Sequence, residues 1–513
     1  MEIMFCMALF IAVIISGYFM KLKRNKGYPV NWPVFGMVPS LLWNLSNRYD
    51  WATGILSRNN GTFRFKGPWG SDSLFEVVTC SPENLEYILK TEFLNFPKGR
   101  YFNSVFFDVF GDGLFTVDGE LWKRQRKSVA MVLASRNSRG QNINEIQNLI
   151  LERLIPVLED SRMNLSSLDL QDVFLRLSFD SVCYIISGKD AGCLSPGLLE
   201  IPFVRAFDEA IESCTYRLIF LPILWKLMKI FNVGFEQKHS KVMGTVRGFA
   251  SKMVKARRAE LENMNEENRV KCADILSTWI RLEAEEGRCA SDKSLEDLGL
   301  SIILAGRDTA ALQLSWLFWL LDQYPKVEEK ILSELSHILK DKYGIKPYDV
   351  NTVRFSMDDL KLMQYLQAAL CESLRLYPAV PVNYREALRD LVLPDGTFVK
   401  KGSKVLVLIY ATNRMESVWG KDAREFKPER WINQYGICVK ESDYKYPVFN
   451  AGPRLCLGRD LAYVNMKSVA AHILLRYRVR VDPDHPVKPN FGPTLFMEHG
   501  LKVTLQPRRD LSP

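Results

Sequence analysis

Histidine is scarce in this sequence, five in 513 residues. His239, His337, His472, His485 and His499 stand isolated, so no two have the spacing of a metal-ligating pair. The ten cysteines include no Cys-x-x-Cys and keep no regular interval. That argues against a zinc ribbon and a disulfide framework and puts the bulk of the chain in a reducing compartment. No tract is biased enough to suggest disorder or repeats. No basic run carries interleaved aromatics, so the excess of 68 basic over 59 acidic residues suits an anionic membrane surface or an acidic protein partner, with nothing to suggest nucleic acid. Composition does not shift along the chain, and one large catalytic unit is expected.

Charge is also missing from Ile3 to Met20, and Lys21, Lys23, Arg24 and Lys26 follow at once. A run of that length spans a bilayer, and the basic flank predicts that the chain beyond it stays cytosolic. A cleavable signal peptide is the rival, but no n-region charge precedes the run and no small-x-small site ends it. Residues 1–26 are therefore read as a membrane anchor with its basic flank. Residues 27–40, rich in proline, read as a stiff hinge, and residues 41–513 as the catalytic domain. Thr62 to Phe65 and Leu74 to Val78 have the composition of short strands, and Ser81-Pro82 that of a helix start. From about Asn142 helical periodicity dominates. The fold class expected is mainly α with a smaller β portion (α+β).

The most informative segment runs Phe449-Asn-Ala-Gly452-Pro-Arg454-Leu-Cys456-Leu-Gly458-Arg-Asp460. Two glycines permit a tight turn against a flat ligand, and the apolar sequence after Asp460 starts a helix whose positive end favours a thiolate at Cys456. Arg454 is suited to neutralise a cofactor carboxylate. A buried free cysteine behind a glycine turn is the alternative. The spacing, however, resembles the haem-binding signature Phe-x-x-Gly-x-Arg-x-Cys-x-Gly of the cytochrome P450 family, in which the cysteine thiolate ligates haem iron.

Other motifs support that resemblance. Ser294-Leu-Glu-Asp297 looks like a capping box, and the apolar run from Leu298 to Leu321 carries only Arg307 and Asp308 as charges. Two charges at mid-span argue against a second membrane helix. Ala305-Gly306-Arg307-Asp308-Thr309 resembles the family's oxygen-activation motif, which implies that Asp308 and Thr309 manage protons. Glu372-Ser-Leu-Arg375 and Arg430 resemble its buried structural network. Trp122 and Arg126 resemble the residues that reach a haem propionate, and Arg385 sits where relatives place another propionate partner. Lys123, Arg124 and Lys127 beside them read as a basic face for an acidic electron donor, or as a plain solvated face.

The resemblance implies the family fold, haem b ligated by Cys456 with Phe449 and Arg454 beside it, and NADPH electrons delivered by NADPH-cytochrome P450 reductase. It further implies a monomeric, single-pass protein of the endoplasmic reticulum membrane facing the cytosol. It looks closest to the branch that hydroxylates fatty acids and alkanes at or near the chain end. Phe106, Phe107, Phe115, Ala305, Val380, Val382, Leu495 and Phe496 are candidate pocket walls. The alternatives are a haem-thiolate isomerase or dehydratase acting on lipid hydroperoxides, a hydroxylase of another lipid, sterol or xenobiotic, and a non-catalytic lipid-binding membrane protein.

Overall fold

The computed structural model describes residues 27–68, 76–344, 353–490 and 492–508. The helices that build the site are α1 (Gly99–Phe110), α2 (Gly119–Ala134), α3 (Leu170–Ser187), α4 (Pro202–Ile219), α5 (Gly234–Asn263), α6 (Asp292–Gln323), α7 (Gln364–Leu376) and α8 (Arg459–Arg476). Strands are short, as expected: β1 (Thr62–Arg64), β2 (Val77–Thr79), β3 (Leu168–Asp169), β4 (Asn383–Glu386), β5 (Lys404–Val407), β6 (Tyr477–Val481) and β7 (Lys502–Pro507). One sheet has the order β1-β2-β5-β4, with Val78 opposite both Phe63 and Leu406, and Leu406 opposite Tyr384. A second has the order β3-β7-β6. Leu74, placed in a strand by its composition, lies outside the described residues.

The central helix α6 ties two hydrophobic cores together. Its first half buries Leu295, Leu298, Leu300 and Ile303 against α1, α3, α4 and α5, and its second half buries Leu314, Trp316, Phe318 and Leu321 against α7 and α8. Each such side chain contributes roughly 1.5–3 kcal/mol on burial, which fixes the helix at both ends. Small residues bring it close to α3: a Cβ on Gly306 would sit 2.5 Å from Val182 Cγ2. The cap differs from the sequence expectation. Ser291 is the N-cap, its Oγ accepting from Ser294 N (3.2 Å), and the Ser294 hydroxyl donates back to Ser291 O (2.8 Å). Asp297, itself buried, is thereby freed from capping and instead pairs with the partly exposed Arg247 and the exposed Lys293.

The segment read as a hinge has contacts of its own. Trp32 and Gly36 bridge, Met37 is buried with its N–H on Lys66 O (2.7 Å), and Gly36 (φ +61°) lies so near Gly67 O that a Cβ would approach to 2.1 Å. Among the described residues no helix is long and apolar enough to cross a membrane. The charge-free run from Ile3 to Met20 lies outside them.

Candidate active site

Between the two halves of α6, at Leu304, Ala305, Gly306, Thr309 and Ala310, the helix borders a cavity of about 560 Å³. Its opposite wall comes from α1, where Phe102, Phe106 and Phe110 recur every fourth residue and so share one face. Their rings touch in series, with centroids 4.8 Å and 6.1 Å apart, and Phe115 and Phe207 meet Phe110 edge-on. Of the expected walls, Phe106, Phe115, Ala305, Val380 and Val382 line the cavity. Phe107 is rotated out of the α1 stripe and exposed, Leu495 is wholly buried in a core, and Phe496 packs on that core, while Thr494 borders the cavity.

Cys456 is at the cavity boundary. Its loop is shaped by Asn450 (φ +63°) and Gly452 (φ +65°), and a Cβ on Gly452 would come within 2.0 Å of Leu89 O, so this glycine is required by close backbone approach. Gly458 has no such constraint at φ −86°; it is the N-cap of α8. Cys456 thus lies two residues ahead of the cap, with its N–H on Phe449 O (2.8 Å). Phe449 packs on Tyr463 of α8, ring centroids 5.2 Å apart. Protein surrounds Cys456, yet its sulfur keeps accessible surface because that surface faces the cavity. Burial raises the thiol above its ordinary range, opposed by the N–H groups of Gly458 and Arg459 and by the charges of Arg126 and Arg459. The helix-end effect expected from the sequence is present but smaller than desolvation.

A group of cations surrounds this loop. Arg126 Nη2 donates to Leu455 O (2.7 Å), and Arg454 Nη2 donates to Val117 O (2.8 Å) and Asp118 Oδ1 (2.7 Å). Trp122 is near both guanidinium groups, which are 5.7 Å (Arg126) and 4.5 Å (Arg454) from its ring centroid. Arg385, fully buried on β4, gives Nη1 to Asn383 Oδ1 (2.7 Å) and Tyr384 O (2.9 Å), while Nε and Nη2 have no partner in the protein. Burial, with the positive charge of Arg454, lowers Arg385 to about 9. Lys98, which the sequence reading missed, lines the cavity with Nζ 3.3 Å from Asn383 Oδ1. Burial and then the charges of Arg385 and Arg454 hold its ammonium well below the ordinary lysine range.

Asp118 joins these parts. It precedes α2 as its N-cap, holds Arg454, and accepts from the N–H groups of Lys98 (3.0 Å) and Gly99 (3.1 Å). Lys98, Arg385 and Arg454 therefore gather around one carboxylate, with buried donors of Arg385 left over. Unpaired buried donors are costly, and an anionic ligand with more than one carboxylate fits them. A planar macrocycle bearing two carboxylates, with a metal facing Cys456, satisfies both the cations and the accessible sulfur.

Above the cavity, Thr309 Oγ1 donates to Ala305 O (2.6 Å). Asp308 does not itself line the cavity. It is buried behind α6 with Oδ1 3.0 Å from Arg307 Nη1, and Arg307 makes a two-point pair with Asp208 of α4 (2.5 Å and 2.9 Å). Burial raises the Asp308 carboxyl to about 7, and the charge of Asp208 adds to this, whereas Arg307 and the Thr494 hydroxyl oppose it.

Farther from the sulfur, Glu372 and Arg375 form the expected buried pair (2.8 Å and 2.9 Å). Arg375 also donates to the carbonyls of Asn413, Ala423 and Glu425, and Glu372 accepts from Trp431 Nε1 (2.8 Å) and Arg430 Nε (3.4 Å). Every strong donor of Arg375 is used, so this group has no capacity left for a ligand.

Fold and site together define a haem-thiolate enzyme: one accessible cysteine below a central helix, cations for the macrocycle's acids, and an apolar chamber. The family model for cytochrome P450 matches residues 74–506, and the chain belongs to the cytochrome P450 family of haem-iron monooxygenases. It is similar to cytochrome P450 86B1 from Arabidopsis thaliana, 44% identical over 98% of this chain and 89% of that protein. It is also similar to alkane hydroxylase MAH1 from Arabidopsis thaliana, 38% identical over 97% of both chains. Cytochrome P450 94A2 from Vicia sativa is 38% identical over 95% of this chain and 92% of its own length.

Proposed function

We propose that this monooxygenase hydroxylates a fatty acid or alkane at or near the chain end, using haem b and electrons from NADPH through a flavoprotein reductase. The observation that carries the reading is the apolar cavity, walled by the Phe102, Phe106 and Phe110 stripe and reaching Cys456. Aromatic walls give an alkyl chain burial without any hydrogen bond to satisfy. Entry end-on presents the terminal carbons to the reacting end. Similarity to a protein named alkane hydroxylase supports the same substrate class.

In this reading Cys456 ligates the haem iron, Phe449 packs beside that ligand, and Trp122, Arg126, Arg454, Arg385 and Lys98 hold the propionates. The bound haem supplies the activation of dioxygen, with thiolate donation favouring O–O cleavage. The chain's own work is to exclude water, seat the alkyl chain and deliver protons. Asp308, poised near neutrality, hands protons toward the cavity, and Thr309 offers a hydroxyl there.

Reconstitution with reductase, NADPH and a series of fatty acids and alkanes tests this. Hydroxylated product near the chain end is expected. Turnover of lipid hydroperoxides without NADPH, and no C–H hydroxylation, would establish the isomerase or dehydratase alternative.

We further propose that residues 3–20 anchor the protein as a monomer in the endoplasmic reticulum membrane, with the domain from residue 41 in the cytosol. The charge-free run and its basic flank support this orientation. The full chain should sediment with microsomes and lose the domain to added protease from the cytosolic side. Protection of the domain inside intact microsomes would reverse the topology.

A further inference from the structure

A charged cluster lies on the side of α1 away from the cavity. Asp108 follows Phe106 by two residues, which turns it about 200° around the helix from the aromatic stripe. Its carboxylate accepts from Lys229 Nζ (2.8 Å and 2.7 Å) and pairs with Arg217 Nη2 (2.8 Å), and His239 Nε2 stands 3.6 Å from it. Arg217, near the end of α4, makes a two-point pair with Glu236 of α5 (2.6 Å for each contact) and gives Nη1 to Val105 O (2.9 Å). Tyr101 Oη in turn donates to Arg217 O (3.0 Å). Tyr101 and Val105 belong to α1, so Arg217 joins three helices.

The two ion pairs differ in burial, and that decides which of them opens. The Arg217 and Glu236 side chains are 0% and 1% exposed, so breaking their pair would strand two charges in a dry interior. Lys229 and Asp108 are 49% and 25% exposed, and a pair in contact with water breaks readily. When Lys229 leaves, Asp108 keeps Arg217, and no buried charge is stranded. Lys229 belongs to the helix Pro222–Phe231, which connects α4 to α5. Trp225 is the one buried residue of that helix, with the Arg217 guanidinium 5.1 Å from its ring centroid. Ile223, Ile230 and Phe231 are exposed. An element held by one buried side chain has low local stability, and beyond its C-terminus the chain turns at Asn232 (φ +51°) and Gly234 (φ +62°). Just ahead of it, Leu218 and Ile219 line the cavity, as do Phe102 and Phe106 of α1.

We propose that the Lys229–Asp108 pair is an ionic clasp controlling passage of apolar ligands into and out of the cavity. Closed, it holds the helix Pro222–Phe231 and the end of α4 against α1. Open, it lets that helix swing away, and the ligand passes between Phe102 and Phe106 on one side and Leu218 and Ile219 on the other. The buried Arg217–Glu236 pair is the joint that stays made in both states. Because the clasp is an exposed charge pair, ionic strength weakens it. The inference rests on the reading of the cavity as a chamber for an apolar chain, and not on which chain is oxidised. A barrier shared by entry and exit alters both rates by one factor and leaves Kd unchanged, which distinguishes a clasp from a contact that merely supports the bound ligand.

The test uses the haem-loaded, full-length protein and 1-dodecylimidazole, a haem ligand carrying an alkyl chain, at a pH where the imidazole is neutral. Stopped-flow recording of the Soret shift gives its association and dissociation rates. In Lys229→Met both rates should rise about two- to fivefold, the range an exposed ion pair supplies, with Kd unchanged, and Lys229→Arg should keep the wild-type rates. Raising sodium chloride to about 0.5 M should speed the wild type and leave Lys229→Met as it was. Carbon monoxide, small enough to need no opening, should bind all the reduced proteins at one rate. Equal dodecylimidazole rates in wild type and Lys229→Met, or a change confined to dissociation, overturns the proposal. Wild-type rates indifferent to salt overturn it without any variant. Failure of dodecylimidazole to bind a protein that takes up carbon monoxide overturns the reading of the cavity itself, and the clasp with it.

Discussion

Replacing Glu372 with alanine is expected to remove most of the folded protein. Arg375 is fully buried, and its charge is balanced by Glu372 within a network that also holds the Asn413, Ala423 and Glu425 carbonyls. Removing one partner of a buried pair costs about 3–5 kcal/mol, because the other charge is stranded. Folding stability as a whole is typically about 5–15 kcal/mol. Trp431 Nε1 and the Lys427 N–H would lose their acceptor in the same step. Glu372→Gln keeps the shape and some hydrogen bonds, so its loss should be intermediate. Thermal melts and the yield of soluble protein measure this; a Glu372→Ala protein melting with the wild type would show that the network is dispensable.

Asp308→Asn is expected to lower kcat about 10²-fold, the low end of what a positioned acid contributes, with little change in the folded structure. The carboxyl is raised to about 7 by burial first, against about 3.9 in an unfolded chain. Between those values the folded protein keeps a proton that the unfolded chain has released. Stability from this group is therefore full below the unfolded value and falls as pH rises toward about 7, by up to about 1.4 kcal/mol per pH unit. The asparagine variant lacks this slope. Denaturant midpoints for both proteins across that window read it directly, and identical pH slopes would mean that Asp308 is ionised throughout.

Much of the site was legible because local spacing carries it. The turn around Gly452, the cysteine loop and the start of α8 lie within a dozen residues, and the Glu372–Arg375 pair is a single turn of helix. Of the stripe Phe102, Phe106 and Phe110 only Phe106 was singled out, and Phe107 was chosen in place of the other two, although helical periodicity turns it away from them. Other parts depend on distant chain. Lys98 and Asp118 reach Arg454 from a loop and a helix cap more than three hundred residues earlier in sequence, which no local pattern signals. Near the C-terminus, Asn490 N–H bonds to Phe496 O (2.7 Å) and Leu495 N–H to Ala379 O (2.9 Å). That turn leaves Thr494 at the cavity border and buries Leu495, so hydrophobicity alone selected the wrong residues. The cap of α6 moved from Ser294 to Ser291 because two serines three residues apart compete for one role.

The central claim is that Cys456 supplies the thiolate that ligates the haem iron. The most direct measurement is the absorption spectrum of the reduced protein with carbon monoxide, compared between wild type and Cys456→His. A strongly red-shifted Soret band in the wild type, absent from a variant that still binds haem, is the expected result. A folded wild-type protein that takes up no haem, or a variant that keeps the same red-shifted band, would contradict the account.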